Sequence, residues 1–475
     1  MTNSITPTTA PRLATKSRIK QKDNNQSFRK RAMTIKNAII DLDFGQRYSQ
    51  KKFEDFYASY HSNHSVLRTL GTWIILTLIP TVLTVSLMLL PVTDLKAGLT
   101  GRNWFSVLQA TGFGTFAGIT AMMRFRNIVE ESSLTWRERY KAAAILAFTI
   151  FATFTITGRF FRYPPPFAIL LCGGNGITAF MIYWVYCEIS LHPEKKLTTS
   201  IKYELLQACA SLGFSYGTTL IHEAVGVLYT SQAHSIVNQA LVAVCLPVLK
   251  ISFRFMQSWL LRKRSEGFGT MIASFEVEFF NKIYTSIFLQ NTASLYIIIV
   301  LLSFDVVENT LFIFEMNSLA SHCFEDGRSD GKLDQNSFTG NTLLDRKLLF
   351  RTEVVGLIEV VEVLTPLMYL TYICMIRIHP NLKYITTLRI LSDEEFFGAV
   401  KNILLYSLVE FVSILGLMIP LWYRFHLPLL FQTGYAMREH KWTIVSLMSV
   451  MLFIAFTGPY VHFGNDYTFE FKSTP

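Results

Sequence analysis

The chain has 475 residues, 51% of them hydrophobic and only 16% charged, with a mean hydropathy of +0.32. A water-soluble domain usually carries about 25% charged residues, so this composition excludes an ordinary soluble globule. The formal charge of +10 is not a nucleic-acid footprint, because the lysines and arginines gather between long apolar blocks rather than along one basic face.

Residues 1–36 are polar and basic, and are expected to form a disordered cytoplasmic tail. Arg29, Lys30, Arg31 and Lys36 would let it rest against anionic lipid. No signal peptide is visible there. Residues 37–69 contain "FGQRYSQKKFEDFYASY", in which Phe44, Tyr48, Phe56 and Tyr60 recur near helical spacing with Lys51 and Lys52 among them. This segment predicts an amphipathic helix, either at the inner membrane surface or capping a bundle.

From residue 70 the apolar residues fall into ten blocks: 70–90, 104–123, 141–158, 167–187, 205–229, 236–258, 283–304, 354–376, 403–423 and 443–463. About 20 helical residues cross the hydrocarbon of a bilayer, and barrel strands would be shorter and alternating. The predicted fold is therefore all-α: a polytopic transmembrane helical bundle of about ten spans over 70–463, with a long outer loop at 305–353 and a short cytoplasmic tail at 464–475. The apolar stretch 306–324 leaves nine or eleven crossings open. With ten spans and the first residues inside, 31 lysines and arginines lie on the inner side and 12 on the outer, which expects both termini in the cytoplasm. Two aromatic phrases, "FGTMIASFEVEFFNK" at 268–282 and "LSDEEFFGAVKN" at 391–402, precede blocks seven and nine and read as headgroup-level anchors.

The phrase "CEISLHPEKKLTTS" at 187–200 recurs as "CMIRIHPNLKYITT" at 374–387. At this constant offset of 187, residues 170–228 align without gaps to 357–415, with twelve identities, among them Cys187/Cys374, His192/His379, Pro193/Pro380, Lys196/Lys383 and Glu223/Glu410. The expected architecture has an internal duplication of spans 4–5 and 8–9, running parallel because an even number of crossings separates the copies. His-Pro reads as a helix stop, since proline cannot continue a helix and biases its predecessor away from α.

Ionisable residues in mid-span are expensive and face a bundle interior or water. The candidates for an inner cavity passing protons or cations, or coupling them to a solute, are Asn175, Glu223, Glu359, Glu362 and Glu410. Glu359 and Glu362, three residues apart, share a helix face, and two such carboxylates cannot both ionise cheaply in low dielectric. Asn175, the repeat mate of Glu362, sits in "CGGNG", where Gly173, Gly174 and Gly176 either unwind the helix at a site or let helices pack closely, as do Gly114 and Gly118 in "GFGTFAG". His222, Lys250, Asp305 and Glu308 are secondary candidates: Lys250 and Arg254 can snorkel to the inner surface, and Asp305 and Glu308 sit at an outer mouth. The alternative role for all these groups is a polar lock between helices, in a membrane receptor or scaffold.

No metal site, cofactor or enzymatic centre is expected. "HEAVG" at 222–226 has Gly226 where a zinc protease needs its second histidine. "DGRSDGKLDQNS" at 326–337 echoes a calcium loop but has Arg328 and Ser337 at ligand positions. The six cysteines have no ligand spacing.

The runs "VEVLTPLMYLTYICMIRIHPNL" and "NILLYSLVEFVSIL" and the ending "VHFGNDYTFEF" carry paired Glu359 and Glu362, His379-Pro380-Asn381, Glu410 and His462-Phe463-Gly464. In these the C-terminal quarter resembles a large group of multi-pass membrane proteins of oomycetes. The resemblance implies a shared membrane topology and brings no activity with it. The expected partners are the lipid bilayer and a small ion or solute, with no nucleic acid.

Overall fold

The computed structural model describes residues 48–62, 66–129, 132, 134–161, 163–165, 168–190, 199–232, 236–261, 268–290, 295–326 and 343–463. Among them there is no strand, only an isolated antiparallel bridge between Ile385 and Tyr460. The helices are α1 (Gln50–Ser62), α2 (Val66–Met88), α3 (Trp104–Ile128), α4 (Trp136–Ile156), α5 (Ala168–Ser190), α6 (Thr199–Gln232), α7 (Ile236–Leu261), α8 (Phe268–Gln290), α9 (Leu295–Asp326), α10 (Leu343–Arg377), α11 (Asp393–Phe425), α12 (Leu429–Glu439) and α13 (Lys441–Thr457).

Six helices are long and apolar enough to cross a membrane: α2, α4, α5, α7, α10 and α11. Counting α12 and α13, which meet at an 85° bend, as one broken span makes seven. The chain thus has the helices of an integral membrane protein. Helix α8 is too polar for a lipid-facing span, and for a physical reason. From Thr270 to Gln290 nearly every side chain is buried, so its polar groups meet protein on all sides and lipid on none.

Nine of the ten apolar blocks fall within or closely overlap one helix each. The seventh does not. Block 283–304 straddles the end of α8 at Gln290 and the start of α9 at Leu295. The phrase 268–282 is therefore no surface anchor: Glu278, Phe279 and Phe280 are core residues of α8. The similar phrase before α11 behaves differently. Ser392 and Glu395 form a reciprocal capping box that starts the helix, Phe396 is buried and Phe397 is exposed. The expected long outer loop 305–353 is also corrected, because α9 continues to Asp326 and α10 begins at Leu343. The calcium-like phrase beyond Asp326 and the first His-Pro at 192–193 lie outside the described residues.

Tertiary contacts set which helix ends lie together. Asn381 donates to the carbonyls of Met88 and Leu90, at 3.1 and 2.8 Å. The His462 ring nitrogen Nε2 lies 2.8 Å from the Thr93 carbonyl, and the Thr386 N–H donates to Pro459 at 3.1 Å. Gln290 donates to Thr387 at 3.3 Å. The end of α2, the end of α8, the turn after α10 and the end of α13 therefore share one end of the bundle. At the other, α1 packs Phe56 on Phe431 and Tyr435 of α12, with centroids 5.6 and 5.5 Å apart, and Gln432 donates to Leu349 near the start of α10. So the aromatic face of α1 covers protein, the capping alternative. Ser132, between α3 and α4, donates to Glu188 at the end of α5.

These contacts correct two expectations. Eleven long helices, α2 to α11 and α13, alternate in direction among the described residues, so α2 starts at one end and α13 finishes at the other. With ten spans, the α2–α3 connection would face away from the turn after α10, yet Asn381 ties them together. The aligned helices α5 and α10 also run in opposite directions, since Glu188 lies at the α1 end and Arg377 at the opposite one. A duplication of them would be inverted, not parallel.

The second His-Pro does stop a helix. His379 is extended and its Nδ1 caps a short 3₁₀ turn, Pro380–Tyr384. The glycines of α5 do not unwind it; the helix is continuous. In α3, a Cβ on Gly118 would lie 2.5 Å from the Ala143 carbonyl of α4, so only glycine allows this approach.

His462 gives a test of this packing. Burial lowers its imidazole to about 4, against the opposing bond to Thr93. An unfolded histidine titrates near 6.5, so the unfolded chain takes up the proton first. The stability from neutral His462 is complete above about pH 6.5 and drains away towards pH 4. The melting temperature of purified protein should fall more steeply from pH 7 to 4.5 than that of His462→Gln; equal slopes would contradict burial of the neutral ring.

Candidate functional site

The polar centre of the bundle is built on Lys282, at residue 15 of 23 in α8. Its side chain is 1% exposed. Nζ lies 2.9 Å from Asp305 Oδ2 on α9, 3.1 Å from Glu362 Oε1 on α10 and 2.9 Å from Glu410 Oε1 on α11. It also donates to the Tyr406 hydroxyl at 2.7 Å, and that hydroxyl lies 3.2 Å from Asp305 Oδ2. A lysine ammonium has three protons and no acceptor. Four oxygens around it from three neighbouring helices make α8 the hub of those helices.

A second ammonium adjoins the first. Lys250 of α7, 2% exposed, lies 3.2 Å from Glu278 Oε1 and 2.7 Å from Glu308 Oε2. It is also 3.7 Å from Asp305 Oδ1 and 3.8 Å from Glu362 Oε1, so these two carboxylates bridge both lysines. Arg254, one turn along α7, reaches Glu308 Oε1 at 2.7 Å. Glu359 is buried nearby with Oε2 unpartnered among the described residues, as are Oε2 of Glu410 and of Glu278.

The composition of the cluster decides its chemistry. Glu278, Asp305, Glu308, Glu359, Glu362 and Glu410 stand against Lys250, Arg254 and Lys282. Three negative charges are in excess if all ionise, and in a low-dielectric interior such an excess calls for bound protons or cations. One oxygen from each of Asp305, Glu362 and Glu410 can be chosen within 4.8 Å of the others, a spacing that would suit a metal ion. The Lys282 ammonium fills that place. The three carboxylates could take a metal only if this side chain moved.

The structure sorts the sequence candidates sharply. Glu359, Glu362 and Glu410 come together, and the secondary candidates Lys250, Asp305 and Glu308 join them. Lys250 does not snorkel, and Asp305, 8% exposed, is no wet mouth residue. Asn175 is exposed on α5. Glu223 is buried on α6, but no hydrogen bond or ion pair joins it to the hub among the described residues. His222 beside it bonds Thr218 through Nδ1 at 2.8 Å and packs on Phe253, Phe280 and Tyr284. The repeat mates Asn175/Glu362 and Glu223/Glu410 thus have unlike surroundings.

Sequence reasoning missed Lys282, Glu278 and Tyr406. The apolar block at 283–304 begins one residue past the central lysine. The usable signal was Glu278 and Lys282, four residues apart on one helical face. A smaller group lies outside the bundle core. Lys52 of α1 sits 3.1 Å from Glu353 and 3.5 Å from Glu439. Burial alone would depress its ammonium, but the two carboxylates hold it above the ordinary lysine range.

Comparison with known proteins adds no assignment: no protein-family model, curated protein or solved structure matches the chain.

Removing one partner of a buried ion cluster strands the others, at a cost of about 3–5 kcal/mol. Lys282→Met should lower unfolding stability by about that much, and Lys282→Met with Glu362→Gln and Glu410→Gln should recover part of it. A loss under about 1 kcal/mol in the single variant, the level of an exposed pair, would mean the cluster is hydrated.

Proposed function

We propose that this protein is a multi-pass membrane transporter or ion-conducting protein, and that the hub around Lys282 is where protons or cations are held and released. One observation carries the reading: a buried ammonium ion-paired at mid-helix to carboxylates from three other helices, within a cluster that has more acids than bases. Such groups are costly in a membrane protein and commonly mark ion pathways and proton relays. Lys282 acts here as a tethered cation. When Glu362 or Glu410 takes a proton, its hold on Lys282 weakens, and α8 gains freedom to shift against α10 and α11.

The membrane arrangement we propose has eleven crossings. Among the described residues, 15 lysines and arginines then lie at or near the α1 end, seven at the opposite end and three in the hub region. By the positive-inside rule the α1 end is cytoplasmic, and the end of α13 faces the other side. The twelve identities at offset 187 fit an inverted duplication, an arrangement common in transporters. We further propose that the chain belongs with the oomycete multi-pass proteins its C-terminal quarter resembles, that it is not an enzyme, and that its partners are the bilayer, with anionic lipid at the basic tail. Tags at the two chain ends should be reached by membrane-impermeant reagents from opposite sides; access from the same side would remove the eleven-crossing arrangement.

The cross-helix pairing also favours a second reading, a receptor or scaffold whose hub only locks α7 to α11 together. Flux separates the two. Purified protein in vesicles with an internal pH dye should collapse an imposed proton or cation gradient, and Glu410→Gln should reduce this to the empty-vesicle rate while the protein stays folded. Wild-type flux equal to empty vesicles under proton, sodium and potassium gradients would leave the lock.

A further inference from the structure

A groove of about 200 Å³ lies at the α1 end of the bundle, between the end of α1, the start of α2, the end of α11 and the start of α12. Its walls are mostly apolar, with Val66 on α2, Met418 and Trp422 on α11, and Leu430 and Phe431 on α12. Val66 and Trp422 are exposed, so the groove opens to the outside of the bundle. Trp422 and Tyr423, both exposed near the end of α11, mark the level of the lipid headgroups, where such rings gather. A cavity of about 150 Å³ holds a benzene-sized molecule. This groove therefore takes one stretch of an acyl chain and leaves the rest to the bilayer.

The groove ends at two guanidiniums. A Cβ on Gly434 of α12 would lie 2.7 Å from Thr69 Cγ2, so α12 lies directly against α2 there. Arg438 is one turn beyond Gly434, and Arg68 adjoins Thr69. The Arg438 guanidinium carbon is 5.9 Å from the centre of the Phe431 ring, which lines the groove. No carboxylate pairs with Arg438 among the described residues, and its Nη1 is buried without a hydrogen-bond acceptor. The neighbouring Glu439 turns to Lys52 instead, at 3.5 Å. Burial, and then the charge of Arg68, lower the Arg438 guanidinium from its ordinary range, with Tyr435 opposing. Two like charges held together, one of them with an unmet donor, call for an anion.

We propose that this groove holds an anionic phospholipid, whose phosphate meets Arg438 and Arg68 and whose acyl chain lies along Val66, Met418, Trp422 and Leu430. The guanidinium fork matches the oxygens of a phosphate. A zwitterionic headgroup would bring its own ammonium up to two arginines, and a headgroup without charge would leave both unanswered. The apolar groove beside the arginines accounts for a chain on the same molecule. The site is far from Lys282 and stands whether or not the hub moves ions. It is also separate from the basic tail.

The test is photolabelling of the full chain in neutral detergent. A phosphatidylglycerol probe with a diazirine in one acyl chain is compared with phosphatidylcholine and diacylglycerol probes of the same chains. Each hydrogen bond to a charged group corresponds to about a tenfold preference. The phosphatidylglycerol probe should label peptides of α2, α11 or α12 about tenfold more than the other two. Unlabelled phosphatidylglycerol should compete, and glycerol 3-phosphate, the head without chains, should not at the same concentration. Arg438→Gln should cut the labelling about tenfold, and Arg68→Gln, at an exposed position, stands in if that variant fails to fold. Neutralising Arg29, Lys30 and Arg31 in the tail should leave the labelling of these helices unchanged. Equal labelling by the three headgroups, full labelling in a folded arginine variant, or loss of labelling in the tail variant would each overturn the assignment. Competition by glycerol 3-phosphate as strong as by the lipid would also overturn it, leaving a site for free anions.

Discussion

The ammonium of Lys282 must be neutralised where it sits, and much of the bundle follows from that requirement. A bare charge in a low-dielectric interior costs several kcal/mol after relaxation. Asp305, Glu362 and Glu410 meet this cost from α9, α10 and α11, within 2.9–3.1 Å. Helix α8 is thereby held at the centre, with its apolar residues packed on every side. Because α8 is enclosed, it can carry Glu276, Glu278 and Lys282 without presenting any of them to lipid. The outer helices α2, α4, α5, α7 and α11 then carry the apolarity that a bilayer demands, while α10 is apolar but largely enclosed.

The same helix separates two chemistries. Towards α7, α9, α10 and α11 it presents Glu278 and Lys282 to a cluster rich in carboxylates. Towards α3, α4, α6 and α13 it presents Glu276 and Phe280 to an apolar cleft with one balanced ion pair. The first cluster carries an excess of acid, whereas the Arg124–Glu276 pair balances its own charge. A shift of α8 would alter both at once, since 276, 278, 280 and 282 move as one rigid turn and a half.

One end of the bundle is fixed by uncharged polar side chains and the other by an ion pair. Asn381 and His462 tie the turn after α10 and the end of α13 to the end of α2, while Asn103 binds Thr93, Asp94 and Gly98 in the adjoining loop. At the α1 end, Lys52 clamps α1 to Glu353 and Glu439. Neutral bonds at one end and an ion pair at the other leave the central hub as the place where negative charge is in excess.

What the residues alone determined is the helical, membrane-suited character of the chain and several polar positions worth watching. Apolar blocks near 20 residues long can satisfy their backbones in lipid only as helices, so this much needs no knowledge of packing. Glu359, Glu362 and Glu410 were legible because a carboxylate inside an apolar block is conspicuous. Lys282 was not, because it lies just before the apolar block at 283–304, and a helix buried on all sides need not look apolar. Block 283–304 joins parts of α8 and α9, so the described residues hold eleven long helices where ten blocks are read, and every helix after α8 runs opposite to the expected direction. Lys250, Asp305 and Glu308 looked peripheral because sequence gives depth along a helix but not what faces it. Asn175 and Glu223 looked equivalent to Glu362 and Glu410, yet only the second pair meets a lysine. Which charges meet depends on which faces of separate helices are turned together, and only the tertiary structure decided that.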